Sequence, residues 1–315
     1  MRTTFINKVT EMARKDKDIY LITGDLGFSV FENFEKEFSD RFINVGIAES
    51  AMIGIAAGLA LNGKKIYVYS IAPFLTMRCF EQIRVDLCYQ NLNVNLIGVG
   101  GGLSYGASGA THHAIEDIAI MRSLPNMKVI CPGDPFETEN IVEQVLNIGG
   151  PTYIRLNKNR EPRLYTKKNI NFQIGKAIRV FEGNDVSIIA TGNMLEQSIN
   201  ISKRLKEIGY SVNLISMHTI KPIDINIINE CISNTKYIFT MEEHNVIGGL
   251  ASAVSEVVVS SRLEHVTFKA FGIPDVYADC AGSRDYFRKK YNIDEDNIFN
   301  EMTKILNENG FESYN

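Results

Sequence analysis

Short runs of β-branched residues alternate with helical patterns along the chain, and the alternation halts once and then restarts. This rhythm constrains the fold more than any other feature, because repeated strand–helix pairs predict mostly parallel sheets covered by helices. Strands are expected at 19–23, 65–71, 94–99, 128–131 and 152–156, then at 186–191, 212–216, 237–241 and 266–271. Helices fall between them. One is the small-residue stretch 51–61; another, 195–208, carries Leu195, Ile199, Leu205 and Ile208. Asp134, Pro135 and Glu137 mark a helix start: a cap residue, proline at the first helical position, and an acid three residues after the cap. The interruption, Asn159 to Asn171, is polar and strongly charged. The expected fold class is therefore α/β, two successive domains that are each a mostly parallel sheet covered by helices. Their expected bounds are 1–160 and 172–315, with a linker at 161–171. A length of 315 residues suits two such units.

Several function classes are disfavoured. The formal charge is −4 and no long basic run occurs, so nucleic acid is not expected as a partner. No apolar run approaches the roughly 18 residues that suggest a membrane span. The N-terminal stretch reads as an amphipathic helix with Phe5, Val9 and Met12 on one face, and it lacks the apolar core of a signal peptide. Five scattered cysteines (79, 88, 131, 231 and 280) have no paired spacing. A disulfide framework or zinc site is not expected, no metal ligands are assigned, and a reducing cytoplasm fits.

Ligands of open α/β sheets sit at the carboxyl ends of the strands. Four segments of the first half fall there or at helix starts: GDLGFS (24–29), NVGIAESAMIGIAAGLAL (44–61), APFLTMRCFEQIRVD (72–86) and GGLSYGASGATHHAIEDIAIMRSLPNM (101–127). In the second half, TMEEHNVIGGLASAVSEVV (240–258) combines an acidic pair, a histidine, paired glycines and an apolar helix pattern. In order and spacing these segments resemble the pyrimidine-binding and C-terminal domains of the transketolase family. The resemblance covers nearly the whole chain and is strongest from Gly24 to Arg122.

The resemblance implies thiamine diphosphate as cofactor, with Glu49 and His112 as the catalytic pair. Glu49 takes the place of the family's catalytic glutamate. A carboxylic acid bonded to the far pyrimidine nitrogen favours the imino form of the cofactor's amine, which then serves as the base at the thiazolium carbon. Phe74 and Phe80 match family aromatics around the aminopyrimidine, Met77 takes a place that is often aromatic and can still fill an apolar wall, and Asp25 matches a family aspartate near the cofactor. His112 aligns with a histidine that contacts the donor sugar; imidazole suits hydroxyl binding and proton movement near neutrality. His113, where the family often has glutamine, is a weaker candidate. Arg2, Ser29 and Lys158 fall where transketolases bind the acceptor's phosphate, although lysine lacks arginine's bidentate fork. The helix after Glu49 is poor in bulk at Ala51, Gly54, Ala56, Ala57 and Gly58, and the family uses it at a subunit interface.

Two departures bear on substrate choice. Ser108 replaces an aspartate that reads a substrate hydroxyl, and a family histidine near Gly100 is absent, which together point away from the usual pentose phosphate. The Gly-Asp-Gly stretch and following asparagine that hold Mg²⁺ and the diphosphate are also absent. The expectation is a split enzyme, in which an N-terminal transketolase subunit supplies the Mg²⁺ site, assembled as a dimer of heterodimers. The expected reaction moves a two-carbon ketol unit from a ketose donor to an aldehyde acceptor. Two alternatives share parts of this pattern: the β subunit of a 2-oxo-acid dehydrogenase, and a non-catalytic ligand-binding subunit. A 1-deoxyxylulose-phosphate synthase fragment fits less well, that enzyme being normally a single chain.

Overall fold

A computed structural model describes residues 1–27, 29–158, 161–165, 170–261 and 266–308. Among the described residues, twelve strands form two sheets. They are β1 (Ile19–Thr23), β2 (Phe42–Asn44), β3 (Lys65–Ile71), β4 (Val94–Val99), β5 (Lys128–Ile130), β6 (Thr152–Leu156), β7 (Ile178–Phe181), β8 (Val186–Ala190), β9 (Val212–Ser216), β10 (Thr219–Lys221), β11 (Tyr237–Asn245) and β12 (Thr267–Ile273). The seven-stranded sheet runs β10-β5-β6-β4-β3-β1-β2, and the five-stranded sheet β12-β11-β8-β9-β7. Pairing is parallel except for β10 on β5 and β7 on β9. The chain is thus α/β with two mostly parallel sheets, each flanked by helices.

The long apolar runs form strands because buried parallel strands need side chains that pack on both faces. Val94–Val99 and Thr152–Leu156 are buried along their whole length. Helix Pro135–Ile148 starts as its sequence dictates: the Asp134 side chain accepts the Glu137 N–H at 2.8 Å, while Glu137 Oε2 accepts the Gly133 N–H at 2.6 Å. The N-terminal helix, Arg2–Lys15, buries Phe5 and Val9 completely, with Met12 packed at the margin of the same core.

The structure departs from the sequence expectation at edges. Strands β2, β7 and β10 span three or four residues, too few to show a period. β5 and β8 each end one residue early, whereas β11 continues to Asn245 and takes in the acidic pair and histidine. β10 lies beyond residue 172 in sequence yet completes the first sheet, so the two units share chain. The described part of the expected linker, 161–165, is stitched to the first unit. Glu161 receives the Met1 amine at 3.2 Å, the Leu164 N–H donates to Asp134 Oδ2 at 2.9 Å, and the Tyr165 hydroxyl donates to Glu137. Residues 159, 160 and 166–169 of that segment lie outside the described residues. Among the described residues, no helix is long and apolar enough to cross a membrane.

Candidate active site

The loops that follow β1, β2, β3, β4 and β6 all leave the carboxyl edge of the first sheet, and every residue singled out there except Arg2 comes from one of them or from the helix it opens. Glu49 begins helix Glu49–Leu61 and is 3% exposed. Its Oε2 accepts from Arg78 Nη1 at 2.5 Å, and Arg78 is its one hydrogen-bonding side chain among the described residues. The Arg78 guanidinium also lies over the Phe74 ring, 4.9 Å from its centroid. A planar cation therefore sits between a buried acid and an aromatic face.

Phe74 meets the His112 ring edge-on at 5.0 Å, so the segment after β3 faces the segment after β4. His112 Nδ1 lies 3.0 Å from the Thr111 hydroxyl. Phe74 and Phe80 are half-buried, and Met77 is 40% exposed. His113 belongs elsewhere. It is buried against Phe287 of the second unit, ring centroids 5.2 Å apart, and burial lowers its pKa. The two adjacent histidines thus point to different surroundings.

The loop after β1 is held to the loop before Glu49 by one side chain. Asn44 Oδ1 accepts the N–H of Asp25 at 2.9 Å and of Gly46 at 3.0 Å. Gly24 lies so close that a Cβ there would stand 3.1 Å from the Gly46 carbonyl and 3.8 Å from Glu49 Cγ. Asp25 and Ser29 take positive φ values, 42° and 62°, which non-glycine residues rarely adopt. Both are exposed, and the Ser29 N–H donates to Glu32. A strained, solvent-facing loop beside a buried acid is a common feature of functional sites.

Arg2 and Lys158 lie within electrostatic reach of one another, although one opens the first helix and the other follows β6. Burial, then the Arg2 charge, push the Lys158 ammonium pKa down. Lys158 Nζ stands 4.0 Å above the Tyr105 ring, and Tyr105 in turn lies 6.0 Å from His112. Ser108 sits exposed in the short turn Gly106–Ser108. Sequence reasoning missed Asn44, Arg78 and Tyr105. All three lie inside segments already singled out, but no periodicity distinguishes them; their contacts arise from loops meeting in space.

A buried ionic network holds the His112 loop against the second unit. Arg155 bonds Asp117 at 2.8 Å and the carbonyls of Ala114 and Glu243. Glu243 accepts from the Leu103 N–H, Asn193 and Arg288. Burial alone would raise the Glu243 pKa, but the Arg288 and Arg284 charges hold it below the usual carboxylate range. Glu242 caps helix Leu250–Ser260 through the N–H groups of Leu250 and Ala251, and burial raises its pKa to about 7. The acidic pair thus serves architecture: it fixes the mouth of the site from below.

Helix Glu49–Leu61 has no polar face. Its stripe of Ala51, Gly54, Ile55, Gly58 and Leu61 is exposed, as is Ile47 before it. A Cβ at Gly54 or Gly58 would meet nothing within 4 Å. Tyr89, on the π-helical segment Ile83–Tyr89 packed beside this helix, is 86% exposed.

Comparison with known proteins gives a consistent picture. Residues 1–162 match the transketolase pyrimidine-binding domain and residues 175–298 the transketolase C-terminal domain. The chain is 37% identical over 298 residues to an apulose-4-phosphate transketolase subunit of Phocaeicola vulgatus, covering 94% of each. It is 32% identical over 312 residues to a 6-deoxy-6-sulfo-D-fructose transketolase subunit of a Clostridium species, covering 99% of this chain and 96% of that one. A solved structure described as a split gene transketolase, inactive beta4 tetramer, superposes with a TM-score of 0.89 at 34% identity, covering 97% of this chain and 98% of the other.

Proposed function

This chain belongs to the transketolase family, and on that premise we propose that it is the C-terminal subunit of a split, thiamine-diphosphate-dependent transketolase. The enzyme would transfer a two-carbon ketol unit from a ketose donor to an aldehyde acceptor. One observation carries the reading: a buried acid, Glu49, and an aromatic face, Phe74, are bridged by a planar nitrogen cation. Those are the two contacts that an aminopyrimidine asks for, a carboxyl for its ring nitrogen and an apolar face for its ring.

The residues present fit that half of the cofactor. Glu49 has only a half-exposed arginine to displace, and Gly24 leaves the neighbouring backbone close to it without filling the space. When bound, thiamine diphosphate supplies a carbon nucleophile that accepts the ketol unit. Glu49 holds and moves a proton at the pyrimidine nitrogen, while Phe74, Met77 and Phe80 wall the ring and keep water from it. Asp25 lines the cofactor's approach from the loop after β1. His112, beside Phe74, is placed to hydrogen-bond substrate hydroxyls and to move a proton at the carbonyl oxygen. Arg2, Ser29, Ser108 and Lys158 are assigned to the acceptor.

The diphosphate and Mg²⁺ are assigned to an N-terminal partner subunit. The exposed apolar stripe from Ile47 to Leu61 supports such a partner, because a helix with no polar face needs a covering. A dimer of heterodimers would bring two such helices together, small residues allowing close approach. The inactive assembly named for the split-gene relative agrees with a chain that needs its partner for activity. Five free thiols suit a reducing cytoplasm.

The test is reconstitution. Calorimetric titration with thiamine diphosphate and Mg²⁺ should give weak or no binding to this chain alone and saturable binding once the N-terminal subunit is added. Ketol transfer should appear over the same titration. Micromolar, Mg²⁺-dependent binding to the lone chain would overturn the split-site reading.

A further inference from the structure

The two cations at the mouth of the site have an unusual neighbour. Arg2 and Lys158 lie close enough for the Arg2 charge to act on Lys158, and among the described residues neither has a carboxylate partner. Two like charges brought together without a counter-charge favour an anion between them. Arg2 also acts on the hydroxyl of Tyr69, a residue 1% exposed, through its charge and a side-chain hydrogen bond. Asn157, 1% exposed and next in sequence to Lys158, has no hydrogen-bond partner for its Nδ2 among the described residues.

Tyr105 organises these groups. Its ring face carries Lys158 Nζ at 4.0 Å, while its centroid lies 6.0 Å from the His112 ring. The backbone makes room for it. Gly100 has φ of 87°, and a Cβ at that position would stand 2.1 Å from a ring carbon of Tyr105. A side chain at residue 100 and the ring at residue 105 therefore exclude one another. The sequence resolves the competition with glycine at 100, so the ring occupies the space over the Gly100 backbone.

We propose that Tyr105 is a specificity-determining residue of the acceptor site. Its ring face seats the Lys158 ammonium where that group and Arg2 together bind the phosphate of a short phosphorylated aldehyde, and the ring separates this anionic end from the carbonyl end at His112. The proposal rests on the transketolase reading of the site. A ring face attracts an ammonium ion and limits its rotamers, so less freedom is lost when the anion binds. Leucine offers no such face and would leave Lys158 free to swing toward solvent. Phenylalanine keeps the face and removes only the hydroxyl.

The test uses the two-subunit enzyme with a fixed ketose donor and two acceptors that differ only in the phosphate, glyceraldehyde 3-phosphate and glyceraldehyde. Tyr105→Leu should raise KM for the phosphorylated acceptor about tenfold. Its kcat, and its KM for glyceraldehyde, should stay within about twofold of wild type. Tyr105→Phe should behave like wild type toward both. Equal effects of Tyr105→Leu on the two acceptors, or a Phe variant as impaired as Leu, would overturn the proposal. Calorimetric titration of the same complexes with inorganic phosphate gives a readout independent of turnover. Binding weakened in the Leu variant and retained in the Phe variant supports the role of Tyr105, and equal binding in all three contradicts it. Absence of ketol transfer in the wild-type enzyme would count against the transketolase reading itself, while the phosphate titration would still decide the role of Tyr105.

Discussion

Arg78 occupies the niche assigned to the aminopyrimidine, so removing it should tighten cofactor binding. Its guanidinium bonds Glu49 at 2.5 Å and covers Phe74 at 4.9 Å, and both contacts must yield before a ring can take their place. The Arg78 side chain is 48% exposed, so the ion pair is to be weighed as a surface pair, at about 0.5–1 kcal/mol. The cation–π contact at a partly exposed ring adds about 0.5–1 kcal/mol. Together they set a competition of about 1–2 kcal/mol, and each 1.4 kcal/mol is tenfold in affinity. Arg78→Met, which keeps the apolar stem and removes the charge, should therefore lower the Kd of the two-subunit complex for thiamine diphosphate by roughly 5- to 30-fold. The assay is titration at saturating Mg²⁺, with the fold checked by circular dichroism. A weaker Kd would mean that Arg78 binds the cofactor, and an unchanged Kd would mean that the contact does not oppose binding; either result refutes the reasoning.

Other consequences can be measured separately. Gly58→Leu adds bulk where the lone chain has open space. Its thermal midpoint should hold or rise, because glycine costs a helix interior about 1 kcal/mol, while co-purification with the N-terminal subunit should fail; intact assembly would remove this helix face from the interface. His218 is buried, stacked 4.4 Å from Phe172, and burial lowers its pKa from 6.5 to about 4. A depressed folded-state pKa contributes stability that is full above 6.5 and is lost as pH falls toward 4. Between pH 7 and pH 5 the wild type should thus lose on the order of 1–2 kcal/mol more than His218→Gln, read from urea unfolding at the two pH values; parallel losses would contradict the assignment.

Legibility in the sequence followed the length and burial of each element. Strands such as Val94–Val99 carry enough consecutive buried apolar residues to declare themselves, whereas Phe42–Asn44 and Thr219–Lys221 owe their pairing to neighbours. The helix start at Asp134 was readable because its capping bonds are local in sequence. The segment that Glu49 opens stood out because it carries a family pattern as a whole. Arg78 and Tyr105 did not, since their contacts join segments 29 residues apart in one case and 53 residues apart in the other, and only the sheet edge brings these together. The acidic pair Glu242 and Glu243 was visible as a motif, but its task, capping one helix and bracing the His112 loop, needed the contacts themselves.

The central claim is that Glu49 is the acid through which this chain activates a cofactor held jointly with a partner. Glu49→Gln keeps the shape and removes the exchangeable proton. The decisive measurement is turnover of a ketose donor by the reconstituted enzyme, with cofactor binding and subunit assembly confirmed in the same samples. The account predicts intact assembly and a fall in kcat on the order of 10²-fold or more. Turnover at the wild-type rate by a cofactor-loaded Glu49→Gln enzyme would contradict it.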